Sequence, residues 1–473
     1  MPGNRTDARC AMISIQDYQG KRVHMVGIGG SSMSGLAEML LKEGYAVTGS
    51  DNANSHAVER LRGMGIPVSV GHDEKNVQGA GLLIFSAAIA EDNPERAAAR
   101  RLGIPEMERS TLLGQLMQGH KEAVCVCGTH GKTTTSSMIA ETLLDCGLDP
   151  TVHIGGRLDA LGGGSRIGKK DVFVAEACEF HGSFLEMRPT VAVVLNIEED
   201  HLDWYKNIEN IEKAFGEFLS LLPDRGLALG WGEDGRIRRL FAGLKCETRT
   251  FGWKDDNDYF PGDLSYSDTG CPRYDVMYRG KKLARIELKV AGTFNVLNSL
   301  AAFAAAHALG VDAEKAAASL NRFAGVHRRF ELTGIIDGVK MYHDYGHNPV
   351  EMAGALSVAK MQHAHHVWAV MQPHTFSRVK SLFQDYLTCT RDADYTLVTD
   401  IYAAREKDPG DIKAEMIVQG MREHGIDAVH TPTFDDTEKY LRAHWQPGDL
   451  VLTMGCGNIN LLNEQMQLHG DTK

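Results

Sequence analysis

Short apolar runs alternate with stretches in which apolar residues recur at helical spacing, and this alternation extends along most of the chain. In the first part, the runs 22–26, 45–51 and 82–86 predict buried strands, and 33–43 predicts an amphipathic helix between the first two. Strands that alternate with helices in this way predict a parallel sheet covered by helices. The chain is therefore expected to be an α/β protein.

The same pattern returns further along the chain. Ala123–Cys127 predicts a buried strand, and a helical pattern covers Thr134–Leu144 after a glycine-rich turn. The polar stretch Lys254–Arg279 is rich in Asp, Tyr and Gly and predicts turns or a short β-ribbon. The remaining predicted elements are strands at 172–175, 191–197, 367–371, 395–399 and 449–454 and an Ala-rich helix at 295–309.

A chain of 473 residues has room for about three domains. A polar shift at Gln118–Lys121 marks the first boundary, and a new series of strands begins near Arg329. We predict a Rossmann-like N-terminal domain at 1–118, a central P-loop α/β domain at 119–328 and a Rossmann-like C-terminal domain at 329–473.

Composition narrows the class of protein. The net charge of −12 and the isoelectric point near 5.9 disfavour broad binding to nucleic acids or anionic membranes. The chain has no apolar run of transmembrane length and no secretory signal at its start, so we expect no membrane insertion. Nine scattered cysteines fit a reducing compartment, and the expected location is the cytoplasm.

The segment Gly128–Thr134 carries the most specific chemistry. It follows a predicted strand and opens a predicted helix, where backbone N–H groups and the helix N-terminus can cradle phosphates. Lys132 would reach the outer phosphates of a nucleotide, and the Thr133 hydroxyl would face magnesium. The general nucleotide loop needs Gly at position 126, where Val126 stands. The alternative is a glycine-rich turn with an exposed lysine.

Acidic clusters follow the next two predicted strands. One contains Glu176 and Glu179, and the other runs from Glu198 to Asp203 and includes His201. Carboxylates, and occasionally an imidazole, bind magnesium, so Glu176 and His201 are expected beside the outer phosphate. Taken alone, each acidic cluster is more often a solvated loop.

A second glycine-rich turn, Gly27-x-Gly29-Gly30, follows the first strand, and Asp51 ends the next. A dinucleotide fingerprint would need a third glycine at position 32, where Ser32 stands. A nicotinamide dehydrogenase, a site for another nucleotide diphosphate and a structural turn all remain open.

Two turn-rich segments, His343–Pro349 and Gln372–Arg378, follow strands in the last part of the chain. Arg378 could clamp a carboxylate or a phosphate through its planar guanidinium, although isolated arginines usually lie on the surface. The His363-x-His365-His366 run has metal-like spacing, but no acidic ligand accompanies it and we expect a surface segment.

Taken together, these motifs resemble the Mur ligases, the ATP-dependent amide-forming enzymes of peptidoglycan synthesis, and within them the alanine-adding branch. The resemblance covers nearly the whole chain. Its marks, in order, are 33–38, 86–89 with 93–95, 128–134, 196–203, 328–331, 344–347, 372–374 and 400–404.

The resemblance implies a first domain that holds a UDP sugar, a second that binds ATP with Mg²⁺, and a third that closes over both. It implies that ATP phosphorylates the lactyl carboxylate of UDP-N-acetylmuramate and that L-alanine attacks the acyl phosphate. It leaves open whether the protein is a monomer or a homodimer.

The site residues implied by the resemblance fall into four groups. Lys132, Glu176 and His201 are the catalytic set, and Thr133, Glu176 and His201 hold the metal. The nucleotide set is Gly128, Thr129, His130, Gly131, Lys132, Thr133, Thr134, Asn295, Arg329 and Asp344. The UDP-sugar set is Gly29, Gly30, Ser31, Ser34, Asp51, Ser86 and Arg109. The amino-acid set is Tyr345, His347, His374 and Arg378.

Three departures from the family pattern matter. The common acidic stretch E-A-D-E-S-D is here Glu176-Ala177-Cys178-Glu179-Phe180-His181, which keeps both glutamates and neither aspartate. Phe215 stands where sister ligases place a carbamylated lysine, a modification that the alanine-adding branch generally lacks. Thr375 replaces an arginine that many members carry, so Arg378 is the surviving candidate for anion binding.

Three other functions are considered. A recycling ligase that attaches a whole peptide to the same sugar would share Gly128–Thr134 but would need a roomier third domain. A nicotinamide dehydrogenase has no use for Lys132. A nucleotide-binding regulator without turnover would not need Lys132, Glu176 and His201 together.

Overall fold

The computed structural model describes residues 13–404 and 406–470. These residues form two compact units, the first comprising the described residues up to Phe251 together with Ala304–Val311, and the second comprising Gly252–Phe303 and the described residues from Asp312 onward. Within the described residues, no helix has both the length and the apolar character needed to cross a bilayer.

The first unit begins with a parallel sheet in the order β3-β2-β1-β4-β5. The chain reverses its direction of strand addition between β1 and β4, and ligands of open α/β sheets bind at such a point. The turn after β1 and Ser86 after β4 both lie there. The elements are β1 Arg22–Val26, α1 Ser31–Lys42, β2 Ala46–Asp51, α2 His56–Gly63, β3 Val68–Val70, β4 Leu82–Phe85, α3 Pro94–Arg101, β5 Glu106–Glu108 and α4 Arg109–Met117.

A second sheet of the first unit runs in the order β12-β11-β10-β6-β9-β7-β8, parallel except for β8. Strand β6 is buried along nearly its whole length between β9 and β10, which explains its unbroken apolar sequence. The elements are β6 Glu122–Cys127, α5 Lys132–Asp145, β7 Thr151–Leu158, β8 Gly163–Arg166, β9 Val172–Glu176, β10 Val191–Val194, α6 Leu202–Tyr205, α7 Ile208–Leu219, β11 Leu227–Trp231, α8 Gly235–Phe241 and β12 Glu247–Phe251.

The second unit contains an antiparallel group, β13-β14-β15, and a sheet in the order β16-β17-β21-β18-β19-β20. That sheet is parallel apart from β16. The elements are β13 Tyr259–Tyr266, β14 Pro272–Tyr278, β15 Lys281–Glu287, α9 Phe294–Ala308 (which ends in the first unit), α10 Ala313–Leu320, β16 Glu331–Ile336, β17 Val339–Asp344, α11 Pro349–Lys360, β18 Val367–Met371, α12 Phe376–Ser381, α13 Phe383–Tyr386, β19 Tyr395–Val398, α14 Ala414–Glu423, β20 Ala428–His430, α15 Phe434–His444, β21 Leu450–Met454 and α16 Asn460–Gly470.

The α/β class predicted from the apolar pattern is confirmed. The strands and helices that were predicted differ from the observed ones only at their ends, whereas others, such as β7, β8 and β11, were not predicted. Helix α5 begins at Lys132, two residues before the predicted start, because Gly131 in a left-handed conformation allows the chain to enter the helix there. Strand β10 ends at Val194, short of the predicted 197. The polar ribbon is longer than predicted because β14 pairs on both sides, with β13 and β15.

Candidate active site

The loop between β6 and α5 turns back on itself through two glycines with positive φ. Gly128 has φ of 138° and Gly131 has φ of 84°. A Cβ at Gly128 would lie 3.0 Å from the backbone nitrogen of Asn196, so no side chain fits there without a shift. The start of α5 follows at once, and the first N–H groups of a helix face its N-terminal side, where they can bind phosphate.

Asn196, which follows β10, fixes this loop from the side. Its Oδ1 accepts from the His130 N–H at 2.8 Å, its Nδ2 donates to the His130 carbonyl at 3.1 Å, and its own carbonyl accepts from the Thr129 N–H. The Thr129 hydroxyl in turn accepts from the Glu198 N–H at 2.9 Å. Interaction with the His130 imidazole lowers the pKa of Glu198.

The Lys132 ammonium is saturated with acceptors. It donates to the carbonyls of Gly128 and Thr129 and to the Glu179 carboxylate, whose two oxygens both lie 3.0 Å from Nζ. Burial alone would lower the pKa of Lys132, but the charge of Glu179 outweighs it, and the net shift is upward. Lys132 is therefore a permanent cation at the mouth of the loop.

Glu176 ends β9 beside the first turn of α5. Its carboxylate accepts from the Thr133 hydroxyl at 3.1 Å, from Ser136 at 3.3 Å and from the Gly155 N–H at 2.8 Å. The end of the neighbouring strand β9 thus places the Glu176 carboxylate against the Thr133 hydroxyl.

His201 lies in the loop after β10 and precedes α6. Its backbone N–H donates to Asp200 at 2.7 Å, and its ring meets the ring of Phe180 edge-on at 4.9 Å. The Glu176 carboxylate bonds Thr133, Ser136 and Gly155, whereas His201 contacts Asp200 and Phe180. The structure therefore places His201 on Phe180, in the loop that also carries Glu179, and does not join it to Glu176 directly.

The residues at the loop fit magnesium in part. Within the described residues, no group of three His, Cys, Asp or Glu side chains is arranged to hold a metal. Magnesium usually keeps several waters and needs only one or two protein oxygens besides nucleotide phosphates. The Thr133 hydroxyl and the Glu176 carboxylate, 3.1 Å apart, supply such a pair.

The glycine turn after β1 is closed by Asp51. The Gly29 N–H donates to Asp51 Oδ2 at 2.9 Å, and a Cβ at Gly29 would meet that oxygen and Val58, each at 2.9 Å. Gly30 caps α1, which begins at Ser31, and Ser34 is buried in its first turn. A helix N-terminus beside a glycine backbone is the kind of turn that favours a pyrophosphate.

Arg109 opens α4 and reaches the same turn. Its guanidinium donates to the Ser32 hydroxyl at 3.0 Å, and that hydroxyl lies 2.8 Å from His153 Nε2 on β7. Burial lowers the pKa of Arg109, and burial together with Arg109 lowers the pKa of His153 to about 3. His153 is consequently neutral, and Arg109 is the cation of this turn.

In the second unit, Asp344 ends β17 and is half-buried. Its carboxylate accepts from the Phe330 N–H at 2.8 Å and from the Gly346 N–H at 2.7 Å. Burial raises the pKa of Asp344, and the nearby Arg329 opposes that rise. Arg329 lies 5.1 Å from the centre of the Tyr345 ring. Asn295, in the first turn of α9, donates to the Ala291 carbonyl at 2.7 Å.

The four residues predicted for the amino acid lie together. The His347 ring is 5.8 Å from the Tyr345 ring and 5.9 Å from the His374 ring. Arg378 Nη1 lies 3.0 Å from His374 Nδ1, which must be unprotonated to accept this hydrogen bond. The strands β17 and β18 both pair with β21, so their carboxyl ends present these loops at one edge.

Sequence reasoning missed several members of the site. Glu179 is part of the acidic stretch that resembles the family, but the sequence assigns it no role, although it lies only three residues after Glu176. Asn196 was quoted in a motif and given no contact. Ser32 was noted only as an absent glycine, and His153 carries no local signal because it meets Ser32 from another sheet.

These features define a class: an α/β protein whose glycine-rich strand–loop–helix turn, of the kind that binds phosphates, lies between two acidic strand ends. Three family models match the chain, namely the Mur ligase family, catalytic domain, at 22–121, the Mur ligase middle domain at 126–306, and the Mur ligase, glutamate ligase domain, at 328–457.

The UDP-N-acetylmuramate–L-alanine ligases of Acetivibrio thermocellus and Caldanaerobacter subterraneus are each 44% identical to this chain over 445 residues. These matches cover 94% of the chain and 95% and 97% of the two relatives. The crystal structure of the UDP-N-acetylmuramate-alanine ligase of Thermotoga maritima has a TM-score of 0.82 at 28% identity, covering 96% of this chain and 100% of that one. The chain belongs to the Mur ligase family.

Proposed function

We propose that this protein joins L-alanine to the lactyl carboxylate of UDP-N-acetylmuramate and converts ATP to ADP and phosphate. The observation that carries the proposal is the match to ligases of that name over 94% of the chain, with Lys132, Thr133 and Glu176 assembled around one loop. Of the nine cysteines, the eight in the described residues form no disulfide, which supports a reducing compartment, and we place the reaction in the cytoplasm.

The chemistry follows from a weakness of the acceptor. A carboxylate resists attack because its charge repels the nucleophile, and phosphorylation gives it a leaving group. The N–H groups at the start of α5 bind the phosphates of ATP, and the Lys132 ammonium offsets the charge that develops on the transferred group. Magnesium held by Thr133 and Glu176, with His201 as a further candidate ligand, would supply additional charge compensation.

The two substrates of the second step need different recognition. The UDP sugar suits the turn Gly27–Gly30, where Arg109 and the α1 N-terminus favour a pyrophosphate. L-alanine has little apolar surface, so its carboxylate must be held by charge, and Arg378 beside His374 offers a planar cation.

A phosphate-release assay tests the proposal. Purified protein receives ATP, magnesium and UDP-N-acetylmuramate, and single amino acids or the tripeptide of the recycling reaction are added in turn. We expect phosphate release with L-alanine and a UDP-linked product heavier by one alanine. Release only with the tripeptide would identify a recycling ligase, and no release with any acceptor would refute ligation.

A further inference from the structure

The short helix α6 is bracketed by strained backbone. His201 before it has φ of 51° and Lys206 after it has φ of 74°, and neither is glycine. Non-glycine residues adopt such angles only where the surrounding contacts hold them. The contacts of α6 therefore have to account for this geometry.

Three side chains in or just before α6 contact three consecutive residues of another segment, 179–181. The Tyr205 hydroxyl donates to the Glu179 carbonyl at 2.5 Å. The rings of His201 and Phe180 meet at 4.9 Å, and the rings of Trp204 and His181 stack at 4.4 Å with 18° between their planes. We call α6 with His201 the clamp, and residues 179–181 the clamped loop.

The clamped loop leads into the 3-10 helix Phe180–Glu186, whose Phe184 packs against Phe215 and Phe218, and the Glu179 carbonyl also accepts from the Gly182 N–H at 2.8 Å. His181 and Gly182 both have positive φ, at 53° and 70°. A cavity of about 360 Å³ borders His181, Trp204 and Tyr205, so packing from that side does not fix the loop. On the side of the cavity, the clamp is the contact that holds the residues around Glu179.

Glu179 in turn determines the position of the Lys132 ammonium. An ammonium has three donors, and here they serve the carbonyls of Gly128 and Thr129 and the carboxylate of Glu179. An incoming phosphate oxygen must replace one of these acceptors. Of the three acceptors, only the Glu179 carboxylate is charged, and it repels phosphate. We therefore expect the phosphate oxygen to replace Glu179.

We propose that Glu179 and Tyr205 are positioning residues: the clamp fixes Glu179, and Glu179 holds the Lys132 ammonium at the mouth of the phosphate loop until ATP takes it over. This inference rests on the proposed ATP-dependent ligation. It assigns a role to the second glutamate of the acidic stretch, and it connects α6 to the phosphate loop through a defined series of contacts.

Glu179→Gln gives the first test, with full-length protein and the phosphate-release assay. A long, flexible lysine without its partner samples more positions, so kcat should fall by about tenfold or more. Because the lost charge repelled phosphate, the KM for ATP should not rise. An unchanged kcat overturns the proposal, and so does a raised KM for ATP at full kcat, which would make Glu179 a nucleotide contact.

Tyr205→Phe removes only the hydroxyl that anchors the Glu179 carbonyl. We expect kcat to fall about fivefold, the size of one lost hydrogen bond. Because Tyr205 acts through Glu179, the double variant should be no slower than Glu179→Gln alone. Independent, multiplying effects would overturn the coupling. Tyr274→Phe is the matched control, since it removes a buried hydroxyl that bonds Ser299 at 2.7 Å, and it should leave kcat unchanged.

Trp204 supplies a readout that does not need turnover. Its emission is isolated by subtracting the spectrum of the same protein carrying Trp204→Phe. Tyr205→Phe should change this signal because the clamp loosens, whereas Glu179→Gln should leave it unchanged because the backbone carbonyl remains. If Tyr205→Phe leaves the signal unchanged, the clamp is not what holds the loop.

ADP binding by calorimetry separates failure of this inference from failure of the proposed function. Glu179→Gln should bind ADP at least as tightly as the wild-type protein, and a loss of affinity of about threefold or more counts against the inference. If the wild-type protein binds ADP but ligates no amino acid, the proposed function fails, while the Trp204 signal and the ADP affinities still decide the clamp.

Discussion

Glu95 is a buried carboxylate that is held by hydrogen bonds. Ser50 and Asn76 each donate to it at 2.6 Å, and His24 Nε2 lies 3.4 Å away. Burial by itself would raise the pKa of Glu95, but these hydrogen bonds outweigh it and lower the pKa to about 2. The ionised form is therefore favoured in the folded state relative to the unfolded chain.

The first prediction concerns pH and stability. Because the folded pKa of Glu95 is depressed, its contribution is complete above about pH 4.5 and is lost as pH falls toward 2. We expect Glu95→Gln to cost about 2 kcal/mol at pH 7 and progressively less below pH 4.5. Urea unfolding of both proteins at pH 7, 5 and 3.5 measures this. Glu59→Gln, at an exposed position, is the control, and a cost independent of pH would contradict the assignment.

The second prediction concerns Arg378. A lysine at this position keeps the charge but loses the planar fork that can bind a carboxylate and His374 at the same time. We expect Arg378→Lys to raise the KM for alanine about tenfold and to lower kcat, with the KM for ATP little changed. Steady-state kinetics with each substrate varied in turn measure this. Wild-type alanine kinetics in Arg378→Ala would move the search to Tyr345 and His347.

At the scale of a single element, the connection from β6 to α5 requires a glycine at position 131, where φ is positive. Gly131 and Gly147 both have φ of 84°. Gly131 lies in the phosphate loop, and Gly147 lies outside it, where an added Cβ would meet nothing within 4 Å. The pair therefore separates backbone strain from function.

The third prediction uses this pair. Gly131→Ala and Gly147→Ala should each lower stability by about 1 kcal/mol, because alanine is strained at this φ. Only Gly131→Ala should lower kcat/KM for ATP, by an expected tenfold or so, because the loop N–H groups move. Thermal unfolding and ATP kinetics are compared for both. Equal losses of kcat/KM would mean that the loop has no special role.

The fourth prediction concerns the ends of β9 and β10. Glu176→Gln removes the negative charge beside Thr133, and His201→Ala removes an imidazole from the loop after β10. Both variants should need more magnesium for half-maximal rate, with Glu176→Gln more affected because its carboxylate already contacts Thr133. Titration of rate against magnesium is the measurement. An unchanged requirement in both would give these residues a structural role.

At the scale of the whole molecule, the candidate sugar and nucleotide sites begin on different sheets of the first unit, at the ends of β1 and β6. The fifth prediction follows from this separation. Lys132→Ala should reduce turnover about a hundredfold or more while UDP-sugar binding stays within about twofold of wild type. Rate assays and calorimetry with UDP-N-acetylmuramate measure both. Near-normal turnover would remove Lys132 from the phosphate site.

The sequence alone determined the strands, the loops after them and the chemistry that the loops carry. Apolar runs such as Ala123–Cys127 and the glycines beside Lys132 are local signals, because burial and positive φ constrain residue type position by position. Local reasoning also placed Glu176 at a strand end beside the loop that carries Thr133, since parallel strands end at one edge of a sheet, whereas the contact between the two side chains is seen only in the structure. The domain limits and the role of each site residue remain predictions.

Tertiary structure decided the contacts between distant residues. Glu179 meets Lys132 across 47 positions, and Ser32 meets His153 across 121. These pairs depend on β6 lying between β9 and β10, and on the packing of α1 against β7 and β8. No local pattern encodes strand order or sheet packing, because both are set by long-range burial that the folded chain satisfies as a whole. For that reason the contacts between the clamp and residues 179–181 could not be predicted from the sequence and are seen only in the folded structure.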